Sequence, residues 1–419
     1  MTGSPAPRRL TGGWLKEGAL ARLLAVLDRD GEEARVVGGA VRNALLGVRL
    51  ADIDIATTAL PQEVVRRAEA AGFKAVPTGI EHGTVTVIAE RRPFEVTTLR
   101  EDIDTDGRHA KVAFGRDWRR DAERRDFTMN ALSIARDGTL YDHVGGLADI
   151  TARRVRFIGD PASRIAEDYL RILRFFRFHA AYGEGAPDAE GLAACIAARA
   201  GLDRLSRERV RAELLKLLLA THAVPTLAVM TESGLLGPVL GGVPLLESCS
   251  NMIKLEAALR LEPDAIRRLG ALVVFVIEDA DRLRDRLRLA NAEHERLLSM
   301  ADGWWRVSPA DGEQPARTLL YRLGEKFIDR VLLAWSRSSA GAADTAWRDL
   351  ATLPNRWRAP AFPLKAADFI ARGVAKGPAL GAALRAAEEA WIAKGFPLDP
   401  KSLATIAETA AAAPPRTAR

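Results

Sequence analysis

Val36-Val37-Gly38-Gly39-Ala40-Val41-Arg42-Asn43-Ala44-Leu45-Leu46, followed by Asp52-Ile53-Asp54-Ile55-Ala56-Thr57, reads as strand, helix and strand. The short apolar run predicts a strand that breaks at the paired glycines, a helix over about 40–46, and a second strand over 52–57. Upstream, Leu15, Leu20, Leu23, Leu24 and Leu27 recur at helical spacing, so a helix over 14–28 should end before Gly31. Downstream, the pattern predicts a helix over 61–71 and strands near 84–89 and 94–99, joined as a hairpin by a turn at Arg91-Arg92-Pro93. Adjacent strands mixed with flanking helices point to an α+β fold with a small mixed sheet covered on one face.

Beyond about residue 160, Leu, Ala, Arg and Glu recur at spacings of three and four with brief Gly or Pro interruptions, which predicts helix for the remainder. Composition shifts suggest four segments: a head over 1–151 and all-helical segments over 152–219, 220–300 and 301–419. The last of these begins just before Trp304 and Trp305, and its Ala- and Pro-rich end, 409–419, is expected to fray.

Within the opening unit, strand alternation would place the carboxylates of Asp52 and Asp54 on one face, roughly 7 Å apart along the chain. Such a pair can converge on hard divalent cations, magnesium above all, that prefer oxygen ligands and bridge phosphate oxygens. Phosphoryl transfer uses that arrangement: one ion activates the attacking hydroxyl while another neutralises charge on the leaving group. Gly39 lets the backbone approach phosphate, the helix that follows offers unpaired N–H groups, and Arg42 adds a forked cationic donor. Taken singly, Gly-Gly is a tight turn and Asp-x-Asp a solvated strand end. Their joint occurrence in one unit favours a phosphate and metal site.

Here the chain resembles the polymerase-β-like nucleotidyltransferases, and within them the class II tRNA CCA-adding enzymes and bacterial poly(A) polymerases. The resemblance spans about residues 30–215. The family pattern Gly-Gly-x-Val-Arg-Asp followed by Asp-x-Asp is met except at Asn43, where an acid is usual. It implies that Asp52 and Asp54 are the catalytic metal carboxylates and that Gly39 and Arg42 touch the triphosphate. Glu95, on a strand that could lie beside the Asp pair, is a possible third acid or an exposed strand glutamate. His82-Gly83-Thr84 and the polar stretch 101–120 are similar to the family's mobile loop.

Arg124-Arg125-Asp126-Phe127-Thr128-Met129-Asn130-Ala131 matches a second family motif. On a helix, Asp126 and Asn130 would share a face and could bind ribose hydroxyls, with Arg125 as a further cation; a buried structural ion pair is the alternative. The third motif, Glu167-Asp168-Tyr169-Leu170-Arg171 with Arg174 and Arg177, has Tyr169 where proline is usual. The resemblance implies that Asp168 and Arg171 read the base edge of cytosine or adenine, and that Arg174 and Arg177 contact nucleotide. Ser206 is a plausible N-cap of the next helix, and Gly373, Gly377-Pro378, Gly381 and Trp391 resemble a tail segment of CCA-adding enzymes.

The resemblance implies a crescent of head, neck, body and tail that adds C, C and A to tRNA from CTP and ATP. A poly(A) polymerase and a non-catalytic RNA-binding protein of the same fold are the rivals. The 61 basic against 55 acidic side chains, net +6, suit a polyanionic partner. With only Cys195 and Cys249, a disulfide framework and a four-thiolate zinc site are excluded, and a reducing cytoplasm is expected. No apolar run is long enough for a membrane span, and no secretory signal is recognisable.

Overall fold

A computed structural model describes residues 9–412, except 11, 17, 51, 80, 82, 107 and 108, with residues 101–112 described through their backbone alone. Contacts divide the chain into two compact units. One runs to Pro244 and takes in Arg286–Arg288; the other comprises Leu245–Asp285 and the residues from Leu289 onward.

The first unit opens with α1 (Gly18–Leu27), β1 (Ala34–Val37), α2 (Gly39–Leu46), β2 (Asp54–Thr57) and α3 (Pro61–Ala70). There follow β3 (Lys74–Gly79), β4 (Thr84–Ala89), β5 (Arg92–Thr98), β6 (Arg100–Asp106) and β7 (His109–Phe114). After α4 (Trp118–Glu123) come β8 (Ser133–Ala135) and β9 (Leu140–Tyr141). Seven strands form one sheet in the order β3-β4-β5-β2-β1-β8-β9, in which only β2 and β5 run parallel.

Pairing register divides the sheet into two chemically different faces. Val36, Ile55, Val96, Val85 and Ile134 are register neighbours and each is fully buried, on the face packed by α1 and α3. The opposite face carries Val37, Asp54 and Glu95 in one row and Arg35, Ala56 and Thr97 in the next. The sheet is mixed, as the alternation predicts, but the second face is not bare: Trp118 of α4 packs against Val37, Ala56 and Leu99 there.

Several details differ from the expectation. The β4–β5 turn is Glu90-Arg91, both left-handed with φ of 51° and 65°, and Pro93 already lies within β5. Two left-handed residues match the twist of a hairpin, and Glu-Arg carries no side-chain signal for that conformation. The strands β3, β8 and β9 were not anticipated, and the stretch expected as a mobile loop holds the antiparallel ladder β6–β7 followed by α4. His82 lies outside the described residues. So do residues 413–419, whereas residues 409–412 are helical rather than frayed.

The rest of the first unit is helical, with α5 (Gly146–Thr151), α6 (Pro161–Glu167), α7 (Leu170–Tyr182), α8 (Ala189–Ala197) and α9 (Arg207–Leu218). Tyr169 lies against Gly201, where any side chain would collide with its ring. Ser206 does occupy the N-cap of α9, but its side chain makes no capping bond.

The second unit is helical throughout its described residues. Gly377, with φ of 108°, precedes the helix Pro378–Ala393, on which Trp391 is fully buried against Tyr321, Phe362 and Phe396. A second centre is ionic: buried Glu256 accepts from Arg267 (3.0 Å) and Arg268 (2.8 Å), and buried Asp329 accepts from Arg267 (2.9 Å) and Arg296 (2.8 Å). Arg296 also reaches Asp264 at 2.9 Å, so three cations answer three carboxylates. Removing one partner from such a buried set leaves uncompensated charge. Asp329→Ala is therefore expected to destabilise this unit by about 3–5 kcal/mol, read by urea unfolding, and a loss below about 1 kcal/mol would show the network to be dispensable.

Candidate active site

Asp54 opens β2 and is the register partner of Glu95 on the parallel strand β5. Adjacent strands lie about 4.8 Å apart, so these carboxylates are close neighbours on the face opposite the one packed by α1 and α3. Asp52 lies two residues before β2 begins, and the burial alternates as expected, with Asp52 and Asp54 exposed and Ile53 and Ile55 buried; Asp52 lies close enough to act on Asp54. Desolvation, then the charges of Glu95 and Asp52, raise the Asp54 carboxyl above the usual carboxylate value, against an opposing pull from Arg125. The charge crowding that raises Asp54 would be relieved by a cation, and an all-oxygen donor set suits a hard one. Among the described residues, no three His, Cys, Asp or Glu side chains close around a single metal position, so the acidic set is an open one.

Beside the acids, Gly38 has φ of 69°, which favours glycine, and a Cβ there would come within 3.1 Å of the Arg125 guanidinium. The chain can then turn from β1 into α2, whose first residue is Gly39 and whose first turn carries Arg42. Arg42 is buried, yet its hydrogen-bond partners among the described residues are all neutral: it donates to Asn130 Oδ1, to Tyr182 Oη at 2.8 Å and to Asn43 Oδ1 at 2.9 Å. Its guanidinium also stacks 3.9 Å from the Tyr182 ring centroid. Burial, with repulsion from Arg177, draws its pKa below the usual guanidinium value, although Tyr182 and Asp126 oppose this. An arginine nevertheless stays charged.

The second motif is not a helix. α4 ends at Glu123, and a single 3-10 turn covers Thr128–Asn130. Asp126 and Asn130 still meet, with Asn130 Nδ2 donating to Asp126 Oδ1 at 3.1 Å. Asp126 also accepts from Arg174 (Nε, 2.8 Å) and from the Phe127 N–H (2.8 Å). Burial disfavours its charge, but Arg174 and these hydrogen bonds outweigh it and hold the carboxyl below its usual value. Arg125 is oriented by Asp121 at 3.1 Å.

The third motif spans the junction of α6 and α7. Asp168 is extended between the two helices; one oxygen accepts from the Leu170 N–H (3.0 Å) and the other from Arg209 of α9 (2.6 Å). Arg171 pairs with Glu167 and donates to the Arg164 carbonyl at 2.5 Å. Arg177 pairs with Glu213. The arginine stripe of α7 is therefore a row of ion pairs.

The three motifs converge on one cavity of about 510 Å³, whose lining includes Gly39, Arg42, Asp54, Arg125, Asp126, Asn130, Asp168, Arg171 and Arg174. Asp52 and Arg177 are not among the lining residues. The sequence left Glu95 open between a third acid and an exposed strand glutamate, and the pairing of β5 beside β2 places it next to Asp54. Arg209, Tyr182, Glu167 and Glu213 were missed as partners in the site; Arg209 and Glu213 meet the motif only through the packing of α9 on α7.

Comparison with known proteins gives concordant matches. A family model described as the Poly A polymerase head domain matches residues 34–156, and one described as the probable RNA and SrmB-binding site of polymerase A matches residues 187–249. The chain is 32% identical over 391 residues to the mitochondrial CCA tRNA nucleotidyltransferase 1 of Mus musculus, spanning 92% of this chain and 88% of that protein. It is 41% identical over 217 residues to a CCA-adding enzyme of Leuconostoc citreum, or 51% of this chain and 52% of that one. Among solved structures, the Bacillus stearothermophilus CCA-adding enzyme in complex with CTP superposes with a TM-score of 0.75 at 26% identity, covering 93% of this chain and 96% of that chain.

The depressed pKa of Asp126 sets a testable pH dependence. Its contribution to stability is complete above the unfolded value of 3.8 and is lost as the pH falls through the lower folded value. Asp126→Asn is expected to cost about 3–5 kcal/mol at pH 7. In urea unfolding the gap from wild type should close only in acid well below pH 4, and an equal gap throughout would refute the charge assignment.

Proposed function

Since the chain belongs to the family of CCA-adding enzymes, we propose that it adds C, C and A to the 3′ end of tRNA from CTP and ATP, releasing pyrophosphate. The observation that carries this reading is the single cavity in which Asp54, Arg42, Asp126 and Arg171 meet. The reaction is attack of the tRNA 3′ hydroxyl oxygen on the α-phosphorus, with the bond to the pyrophosphate oxygen breaking in line.

Each motif has a part in that step. Arg42 would answer the triphosphate charge, together with the N–H groups opening α2. Arg125, Asp126 and Asn130 would hold the ribose and its neighbouring phosphate, with Arg174 fixing Asp126. Asp168 and Arg171 would read the base edge, accepting from its amino group and donating to its ring acceptor. Asp52 and Asp54, with Glu95 beside them, would hold magnesium, which when bound neutralises phosphate charge and acidifies the attacking hydroxyl. Residues 1–151 then serve as head, 152–219 as neck, 220–300 as body and 301–419 as tail, the last presenting the Gly377-Pro378 segment to tRNA. No helix among the described residues is long and apolar enough to cross a membrane. Two buried free thiols, Cys195 and Cys249, support a reducing compartment such as the cytoplasm.

The test is incubation of the purified protein with tRNA lacking its end, in CTP alone, ATP alone or both. Two C additions with CTP alone, and a terminal A only when both are present, are expected; long A tracts on generic RNA would replace this reading with poly(A) synthesis. Replacing Asp52 and Asp54 with Ala should lower incorporation by about 10²–10³-fold or more, while tRNA binding by filter retention persists. Chelation should stop incorporation, and excess magnesium should restore it.

A further inference from the structure

We propose that a second cavity on the head is a subsite for the RNA strand, holding the nucleotide that precedes the reacting 3′ end. The inference rests on Asp54 marking the reacting centre. The cavity, about 630 Å³, is lined by Arg35, Trp118, Tyr141 and His143, with Arg116, Arg119 and the one carboxylate, Asp117, at its exposed side; Asp117 is engaged as the N-cap of α4. Arg35 sits between two rings, its guanidinium carbon 4.0 Å from the Trp118 ring centroid and 3.6 Å from that of Tyr141. Its side chain is only 9% exposed. One guanidinium nitrogen donates to Glu33 at 2.6 Å, while the other, Nη1, has no partner among the described residues.

Two more buried nitrogens around this cavity, Trp118 Nε1 and His143 Nε2, are likewise unpartnered. Buried polar atoms are nearly always answered, so three unanswered ones at one cavity call for a ligand rich in acceptor oxygens. Burial, followed by repulsion from Arg119 and Arg35, draws the His143 pKa below its ordinary value, so its ring is neutral and able to donate a single hydrogen bond.

A phosphodiester supplies the oxygens, and the two half-buried aromatic rings supply what a free anion would not use, a surface on which a base can stack. Position on the sheet favours the same ligand. Arg35 is the register partner of Ala56, two residues beyond Asp54 on β2, and shares its face. That separation is roughly 7 Å along the strand, within the span of one extended nucleotide. A strand whose terminal hydroxyl lies at Asp54 would bring its preceding unit over Arg35.

Steady-state kinetics of the full chain on tRNA lacking its end test this. Tyr141→Ala and His143→Ala should each raise KM for tRNA about tenfold, the scale of one lost base contact. KM for CTP, and kcat at saturating tRNA, should stay within about twofold. Tyr141→Phe, which keeps the ring, should restore the tRNA KM. Arg119→Gln, on an exposed side chain, gives a second reading that does not touch the core and should also raise it. An unchanged tRNA KM across these variants, or a rise confined to CTP, overturns the subsite. Inorganic phosphate or pyrophosphate that displaces tRNA from wild type but not from Tyr141→Ala would mark a free-anion site and also overturn it. Wild-type protein that adds nothing to this tRNA would instead overturn the enzymatic reading itself.

Discussion

Arg174 donates to Asp126, Asn130 donates to Asp126, Arg42 donates to Asn130 and Tyr182 accepts from Arg42. This one chain of contacts ties the glycine-rich turn, the second motif and α7 into a single object. Its members are largely buried, so each needs its neighbour: a carboxylate taken out of water is tolerated only when cations and N–H groups answer it. The mixed sheet places Asp54, but this network fixes where the remaining motifs stand relative to it.

Charge accounting within the cavity then singles out Arg42. Arg125 is answered by Asp121, Arg171 by Glu167, Arg174 by Asp126 and Arg209 by Asp168. Arg42 makes no ion pair among the described residues, and only neutral groups orient it. Asn43 supplies the same directional acceptor that an aspartate would, but without its charge. The departure from the family pattern thus leaves Arg42 oriented but without an ion pair among the described residues. Tyr182 contributes an acceptor and a ring face, and both favour the charged guanidinium without cancelling it.

Legibility from sequence followed the range of the interactions. The strand, helix, strand unit was readable because its signals are local: apolar runs, paired glycines and spacing. Asp126 and Asn130 were expected to share a helix face; they meet instead across the turn that runs from Asp126 into the 3-10 segment Thr128–Asn130, through a side-chain hydrogen bond. β8 and β9 are only three and two residues long, and β3 has no fully buried residue to mark one face, so periodicity is a weak guide to them. The partnerships of Arg209 with Asp168 and Glu213 with Arg177 join segments 41 and 36 residues apart, and only the packing of α9 against α7 creates them. Glu95 stood between: its strand could be expected beside the Asp pair, but the register that sets it opposite Asp54 could not.

The ion pairs at the start of α7 also bear on how a protein could select a base without a template. On the proposed reading, Asp168 and Arg171 face the base, yet both are already engaged, one with Arg209 and the other with Glu167. A nucleobase therefore exchanges with existing partners instead of meeting bare charges, and selectivity rests on the difference between the two sets of bonds. Cytosine and adenine each place an amino donor beside a ring acceptor, the order that an acceptor-only carboxylate and a donor-only guanidinium can satisfy together. Uracil and guanine reverse that order and would leave both charged groups facing like partners, which costs more than a missing bond. Partners that hold Asp168 and Arg171 in place between substrates keep this discrimination preassembled, with little ordering left to be done when a nucleotide arrives.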